Sequence, residues 1–216
     1  MSINPELAEN TLFLKRHESI LKCLNYLIEN RQEVMDILTQ FSSYRAANAE
    51  IDSTILTLQG ALQEVQTHQP SWQRSMAVFM PSNVILYSYA LYLLIPSLYV
   101  ENIDFRPSSH VNEYVDMLHE KLQAVHQLPI YIRKVSQKLF MENSVMPADI
   151  VVFTGSYTNA EKIKKQIRKD QLYIFYGQGI NPFIIGPDAD LELAVTDVIR
   201  MRLFNSGQDC LGPDII

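Results

Sequence analysis

The sequence predicts an α/β protein: a mostly parallel, open sheet flanked by helices and led by a pair of long helices. Three observations carry this. Two long segments with apolar residues at helical spacing precede any strand-like run. Short apolar runs, Met76 to Met80, Ile150 to Phe153 and Leu172 to Tyr176, then alternate with helix-length segments. Hydrophobic residues make up 47% of the 216 residues and charged ones 19%, which supplies a sizeable core for one large domain or two small ones.

Taken in order, Leu14 to Phe41 reads as one amphipathic helix with Leu14, Leu21, Leu24, Ile28, Met35 and Leu38 on one face. Cys23 lies inside it as inert packing. Ser42-Ser43 ends it, and Ala46 to His68 follows with Ile51, Ile55, Leu58, Leu62 and Val65 on one side, giving an antiparallel pair. Gln69 to Arg74 is a short connector whose Trp72 serves packing or an interface. From Ser75 to Val100 there is no charged residue, but Pro81-Ser82-Asn83 and Pro96 interrupt the run. It therefore reads as a buried strand, a loop and a buried helix from Val84 to Ile95, not as the ~20 apolar residues of a membrane span.

Val111 to Val125 is a helix with Glu113, Asp116, Glu120 and Lys121 on its wet side. His110, His119 and His126 lack metal-site spacing and read as solvated histidines. Thr154-Gly155-Ser156 turns the second strand-like run into a helix from Asn159 to Lys169. Asp188 and Asp190 stand as structural caps at the start of a helix from Leu191 to Phe204. Pro213-Asp214-Ile215-Ile216 reads like a strand cut short.

A net charge of −6 without a basic block excludes a nucleic-acid surface. Two cysteines cannot build a disulfide framework and suggest a reducing, cytoplasmic setting. Met1 to Asn10 has no signal-peptide character. No membrane partner is expected.

The chemistry concentrates at a few loops. Cys210 follows Gly207-Gln208-Asp209, and a thiol on a glycine-containing loop can be approached by a substrate. Backbone N–H groups at the helix start after Thr154-Gly155-Ser156 form a natural anion site, where glycine admits a phosphate closely. Asn83, taken alone, is a loop asparagine that caps the following helix.

In order along the chain, Phe153-Thr154-Gly155-Ser156, Asn181-Pro182-Phe183-Ile184-Ile185 with Asp188-Ala189-Asp190-Leu191-Glu192, and Phe204-Asn205-Ser206-Gly207-Gln208-Asp209-Cys210 resemble the aldehyde dehydrogenase superfamily. The family reads F-T-G-S, then N-P-x-I-I/V with D-A-D-L-E, then F-x-N-x-G-Q-x-C. The resemblance implies a Rossmann-like domain over residues 1–178 that binds NAD or NADP. It implies the start of a truncated catalytic domain over 179–216.

By the same resemblance Cys210 is the nucleophile, and Asn83, in Pro81-Ser82-Asn83, donates to the oxyanion. Pro81 and Ser82 accompany it on the cofactor side, Ser82 standing where the family usually has tryptophan. Arg106, Pro107 and Ser109 match a strand ending in K-P-S/A-E, with arginine for lysine and serine for glutamate. Gaining a guanidinium and losing a carboxylate favours a 2′-phosphate, hence NADP. Thr154, Gly155 and Ser156 would touch the dinucleotide. The family's general-base glutamate falls on Tyr176, with Gln178, Gly179 and Ile180 replacing the residues that follow it. Loss of that base favours passing the acyl group to or from a thiol such as coenzyme A over acid release. The substrate class is a small aldehyde or acyl thioester. The long oligomer-building arm and the second half of the family chain have no counterpart here. The alternative is a non-catalytic dinucleotide-binding remnant that needs a partner chain or a missing C-terminal half.

Overall fold

A computed structural model describes residues 5–177, 179–207, 210 and 212–215. For residues 5–10 and Leu62 only the backbone is described. The expected α/β architecture is present: five strands form one all-parallel sheet of order β3-β2-β1-β4-β5, where β1 is Gln73–Phe79, β2 Val100–Arg106, β3 Ile130–Ile132, β4 Ile150–Thr154 and β5 Leu172–Tyr176.

Three helices lead the sheet: α1 (Pro5–Glu29), α2 (Arg31–Leu38) and α3 (Tyr44–His68). The single helix expected from Leu14 to Phe41 is therefore broken. Asn30, at φ −111° and ψ 31°, leaves the helical region and starts α2. The expected face also needs correction, because Leu14, Leu21 and Ile28 point outward. Seven residues fall short of two full helical turns, so a strict heptad drifts around the helix. The buried stripe is Ile20, Cys23, Leu24 and Leu27, at the i, i+3, i+4, i+7 spacing of a core face. Ser43 opens α3 by accepting the Ala46 N–H at 3.2 Å, a cap worth about 1 kcal/mol. Arg16 is buried and donates to the carbonyls of Ser97, Val100 and Glu101, while its guanidinium lies 4.9 Å from the centre of the Trp72 ring. Trp72 thus packs within the chain.

Strand alternation divides the core in two. Met76, Val78, Ile150 and Val152 face α1, α3, α4 (Ile85–Tyr89) and α5 (Asn112–His126). Ala77, Phe79, Val151 and Phe153 face α6 (Gln137–Phe140) and α7 (Tyr157–Lys164), where Phe79 meets Phe140 edge-on at 4.9 Å. The edge strand β3, which the sequence did not announce, pairs Ile103 with Ile130. The helix after β4 ends at Lys164 rather than Lys169. The last helix, α8 (Leu191–Arg202), gives way to a 3-10 turn at Phe204–Gly207. Among the described residues no helix is long and apolar enough to cross a membrane.

One expectation about chemistry is overturned here. His126 is buried and His119 half-buried. The Tyr89 hydroxyl lies 2.8 Å from His119 Nδ1 and 3.0 Å from His126 Nε2, and His126 Nδ1 accepts the Leu128 N–H at 2.9 Å. That last bond fixes the tautomer: Nε2 carries the proton and donates to Tyr89, which donates to His119. His126 faces inward, and His119 partly so, because α5 packs on α1, while His110 is exposed as expected. His119 and His126 satisfy one another through Tyr89 instead.

Candidate active site

Register gathers the site loops at one edge. Phe79 is level with Arg106 on one side and with Phe153 on the other, and Thr154 is level with Tyr176. The loops that follow β1, β2, β4 and β5 therefore all leave the carboxyl edge of the sheet. Between β1 and β4 the chain reverses its direction of travel across the sheet. Such a switch point opens a crevice at the carboxyl ends, where ligands of α/β proteins bind.

After β1 the loop carries Pro81, buried, Ser82, exposed, and Asn83, half-buried. Asn83 does not cap α4. The Leu86 and Tyr87 N–H groups donate instead to Glu50 of α3, at 2.7 and 3.1 Å. Asn83 makes no hydrogen bond among the described residues. Glu50 was not singled out in the sequence; an isolated glutamate in an amphipathic helix gives no signal of burial. Burial pushes its carboxyl up to about 7, against the pull of the two N–H donors.

After β2, Arg106 donates Nε to the Val135 carbonyl at 3.1 Å, leaving its terminal nitrogens without a partner among the described residues. Pro107 is buried and Ser109 exposed. After β4, Thr154 Oγ1 is buried with no hydrogen-bond partner, and Gly155 donates its N–H to Tyr176 O at 3.1 Å. A Cβ on Gly155 would stand 2.8 Å from Phe153 Cζ, so this position has no room for a side chain. Ser156 is the N-terminal flanking residue of α7, but its hydroxyl makes no cap bond and is free for another acceptor or donor.

Cys210 is exposed; its neighbours Gln208 and Asp209, along with Gln178, Leu211 and Ile216, lie outside the described residues. Asn181 Nδ2 donates to Cys210 O at 2.7 Å and to Gly212 O at 3.2 Å. Pro182 and Ile215 form a parallel bridge, a strand contact of the kind expected at this end. Asp190 caps α8 by accepting the Leu193 N–H at 3.1 Å, as expected. The 3-10 turn ahead of Cys210 rests on the start of α3: the Ser43 N–H donates to Asn205 Oδ1 at 3.2 Å, and Arg45 lies over Phe204. Tyr176 stacks on Tyr92, with ring centres 5.3 Å apart and planes 25° apart.

With this geometry in view, comparison with known proteins is specific. The aldehyde dehydrogenase family model matches residues 123–216. A lactaldehyde dehydrogenase of Methanococcus maripaludis is 33% identical over 63 residues, which are 29% of this chain and 13% of that protein. The fold of nearly the whole chain is found in solved aldehyde dehydrogenase structures. Glyceraldehyde-3-phosphate dehydrogenase of Methanocaldococcus jannaschii, solved with NADP, superposes with a TM-score of 0.79 at 22% identity, over 96% of this chain and 51% of that one. The NADP-dependent enzyme of Bacillus halodurans gives 0.82 at 16% identity, over 96% and 50%. Lactaldehyde dehydrogenase of Escherichia coli gives 0.79 at 20% identity, over 96% and 48%. The chain thus spans about half the length of the solved structures it matches.

Proposed function

We propose that the chain is the cofactor-binding part of an NAD(P)-dependent aldehyde oxidoreductase, residues 1–178, followed by the first segment of its catalytic domain, residues 179–216. The observation that carries this is the convergence of Pro81-Ser82-Asn83, Arg106-Pro107-Ser108-Ser109 and Thr154-Gly155-Ser156 on the carboxyl edge at the switch point. The residues suit a dinucleotide. Gly155 allows close approach, Ser156 is uncommitted at a helix start, and the free terminal nitrogens of Arg106 suit the 2′-phosphate of NADP. Two of the structures named above are complexes with NADP.

In this reading the Cys210 sulfur adds to the carbonyl carbon. A C–S bond forms and the π pair moves to oxygen, which the Asn83 amide holds. The bound cofactor supplies the acceptor for the hydride that leaves that carbon, and a thioester remains on Cys210. Tyr176 stands where the base would be, and a phenol is a weak base at neutral pH. Release therefore goes by attack of an acceptor thiol such as coenzyme A on the thioester carbonyl, with Cys210 as leaving group, or by the reverse of that sequence.

A second reading, a dinucleotide-binding subunit that requires a further polypeptide, is favoured by α8. Only Val198 of that helix is buried, while Leu191, Leu193, Val195 and Ile199 are exposed. Such a surface wants a cover.

Fluorescence titration with NADPH and NADH, on the wild type and on Arg106→Ala, tests the proposal. Saturable binding that prefers NADPH and loses that preference in the variant is expected. Absence of binding by either cofactor would overturn it.

A further inference from the structure

The two halves of the sheet differ on the face that carries Ala77. There Ala77, Phe79, Val151 and Phe153 are apolar and pack with α6 and α7, and no residue of β2 or β3 belongs to that hydrophobic cluster. Register puts Asn102 level with Ser75, and Asp104 level with both Ala77 and Tyr131, so Asn102, Asp104 and Tyr131 share this face. Their neighbours Ile103 and Phe105, one step along β2, are buried in the core on the opposite side. The polar half of the face floors a cleft of about 190 Å³, bounded by the π turn Met141–Val145 that continues α6. Such turns are frequent at functional sites. Here the turn brings Asn143 and Ser144 to the cleft. The cleft lies towards the amino ends of β1 and β2 and contains no residue of the loops that follow β1, β2, β4 and β5.

Two charges line the cleft, and they cancel. Arg133 Nη2 lies 2.7 Å from Asp104 Oδ1, and Asp104 Oδ2 accepts the Ser144 hydroxyl at 2.6 Å, so each carboxylate oxygen has its partner. The Arg133 guanidinium also lies 5.3 Å from the centre of the Tyr131 ring, which remains 43% exposed. Around this closed pair stand groups with bonding capacity left over. Asn102, Asn143 and the Tyr131 hydroxyl make no hydrogen bond among the described residues. Each of them can both donate and accept. We propose that this cleft binds a neutral, polyhydroxylated ligand the size of one sugar ring. Hydroxyls, which also donate and accept, match those three side chains. The Tyr131 ring offers apolar surface to the C–H edges of such a ligand. A charged group would lose its water here without gaining an unpaired counter-charge. The volume is below that of a drug-sized pocket, which limits the ligand to about a dozen heavy atoms. The site does not rest on the dinucleotide reading.

NMR titration of the isotope-labelled 216-residue chain with methyl α-D-glucopyranoside tests this. The glycoside has no free aldehyde, so its binding is not confused with addition of the Cys210 thiol. Saturable shifts are expected at the backbone amides of Asn102, Asp104, Tyr131 and Arg133 and at the side-chain amides of Asn102 and Asn143, with a Kd on the order of 1 mM. Asn102 and Asn143 are exposed, so the double variant Asn102→Ala/Asn143→Ala keeps the fold and should bind about tenfold more weakly. D-Glucuronate, the same ring with a carboxylate, should bind the wild type about tenfold more weakly than the glucoside. Shifts that stay linear up to about 100 mM, saturable shifts confined to the carboxyl-edge loops, or a double variant that binds as well as the wild type overturn the site. Glucuronate bound as tightly as the glucoside overturns the neutral class of ligand. No cofactor is present in the titration, so none of these outcomes bears on the dinucleotide reading.

Discussion

Lowering the pH from 7 to 5 should expose the buried Tyr89–His126 pair. His126 uses both ring nitrogens, accepting from Leu128 at Nδ1 and pairing with Tyr89 at Nε2. Protonation would turn the Nδ1 acceptor into a donor that faces another donor. Burial, and next to it His119, hold the imidazole well below its ordinary 6.5, at about 3. Between those two values the unfolded chain binds a proton that the folded chain refuses. The stability tied to this group is therefore complete above pH 6.5 and is lost as the pH falls toward 3. At pH 5 the solution is about 1.5 pH units below the ordinary 6.5 of the unfolded imidazole, so the loss is about 2 kcal/mol. His119, partly exposed, is held at about 4 by burial first, with Asp116 favouring its charged form and Lys134 opposing it, and adds a loss of the same sign. Urea denaturation of the wild type and His126→Gln, each at pH 7 and pH 5, isolates the term, because contributions common to both chains cancel. The wild type should lose about 2 kcal/mol more than the variant. An unchanged gap between the two chains at both pH values would refute the reasoning, as would an NMR titration of His126 with a midpoint above pH 5.

Other outcomes follow from the same structure. Glu50 behaves in the opposite sense: its folded carboxyl, at about 7 against an ordinary 4.5, is stabilising while protonated, and that contribution is lost as the pH rises through 7. Glu50→Gln should remove a loss of about 2 to 3 kcal/mol between pH 5 and pH 8, seen as a flatter denaturation profile. Asp190→Ala should cost α8 about 1 kcal/mol and speed amide exchange in its first turn, because the Leu193 N–H loses its acceptor. Gly155→Ala should destabilise by about 1 to 3 kcal/mol in thermal or urea unfolding and weaken NADPH binding. The added Cβ meets the Phe153 ring, which cannot swing away because it packs between Phe79 and Phe175.

Much of the fold was legible because its signals are local. The runs Met76 to Met80, Ile150 to Phe153 and Leu172 to Tyr176 announce strands through composition alone, and Asp190 announces a cap. The turn at Thr154-Gly155-Ser156 was legible for a related reason: it is a short contiguous pattern between a strand-like run and a helix. Misreadings arose where partners are distant in sequence. Leu14, Leu21 and Ile28 obey a helical repeat, but which stripe is buried depends on α3 and α5. His119 and His126 look solvated until Tyr89 is found between them, and Asn83 looks like a cap until Glu50, from α3, takes the donors at the start of α4.

The sequence by itself determined the alternation of strands and helices and the likeness to aldehyde dehydrogenases. Tertiary structure alone decided that four loops share one edge, that Asn83 makes no hydrogen bond among the described residues, and that Tyr92 and Tyr176 stack. The physical reason is range. Turn chemistry and side-chain periodicity act over a few residues, whereas burial, and the pKa shifts and packing that depend on it, is a property of segments tens of residues apart that meet only once the chain has folded.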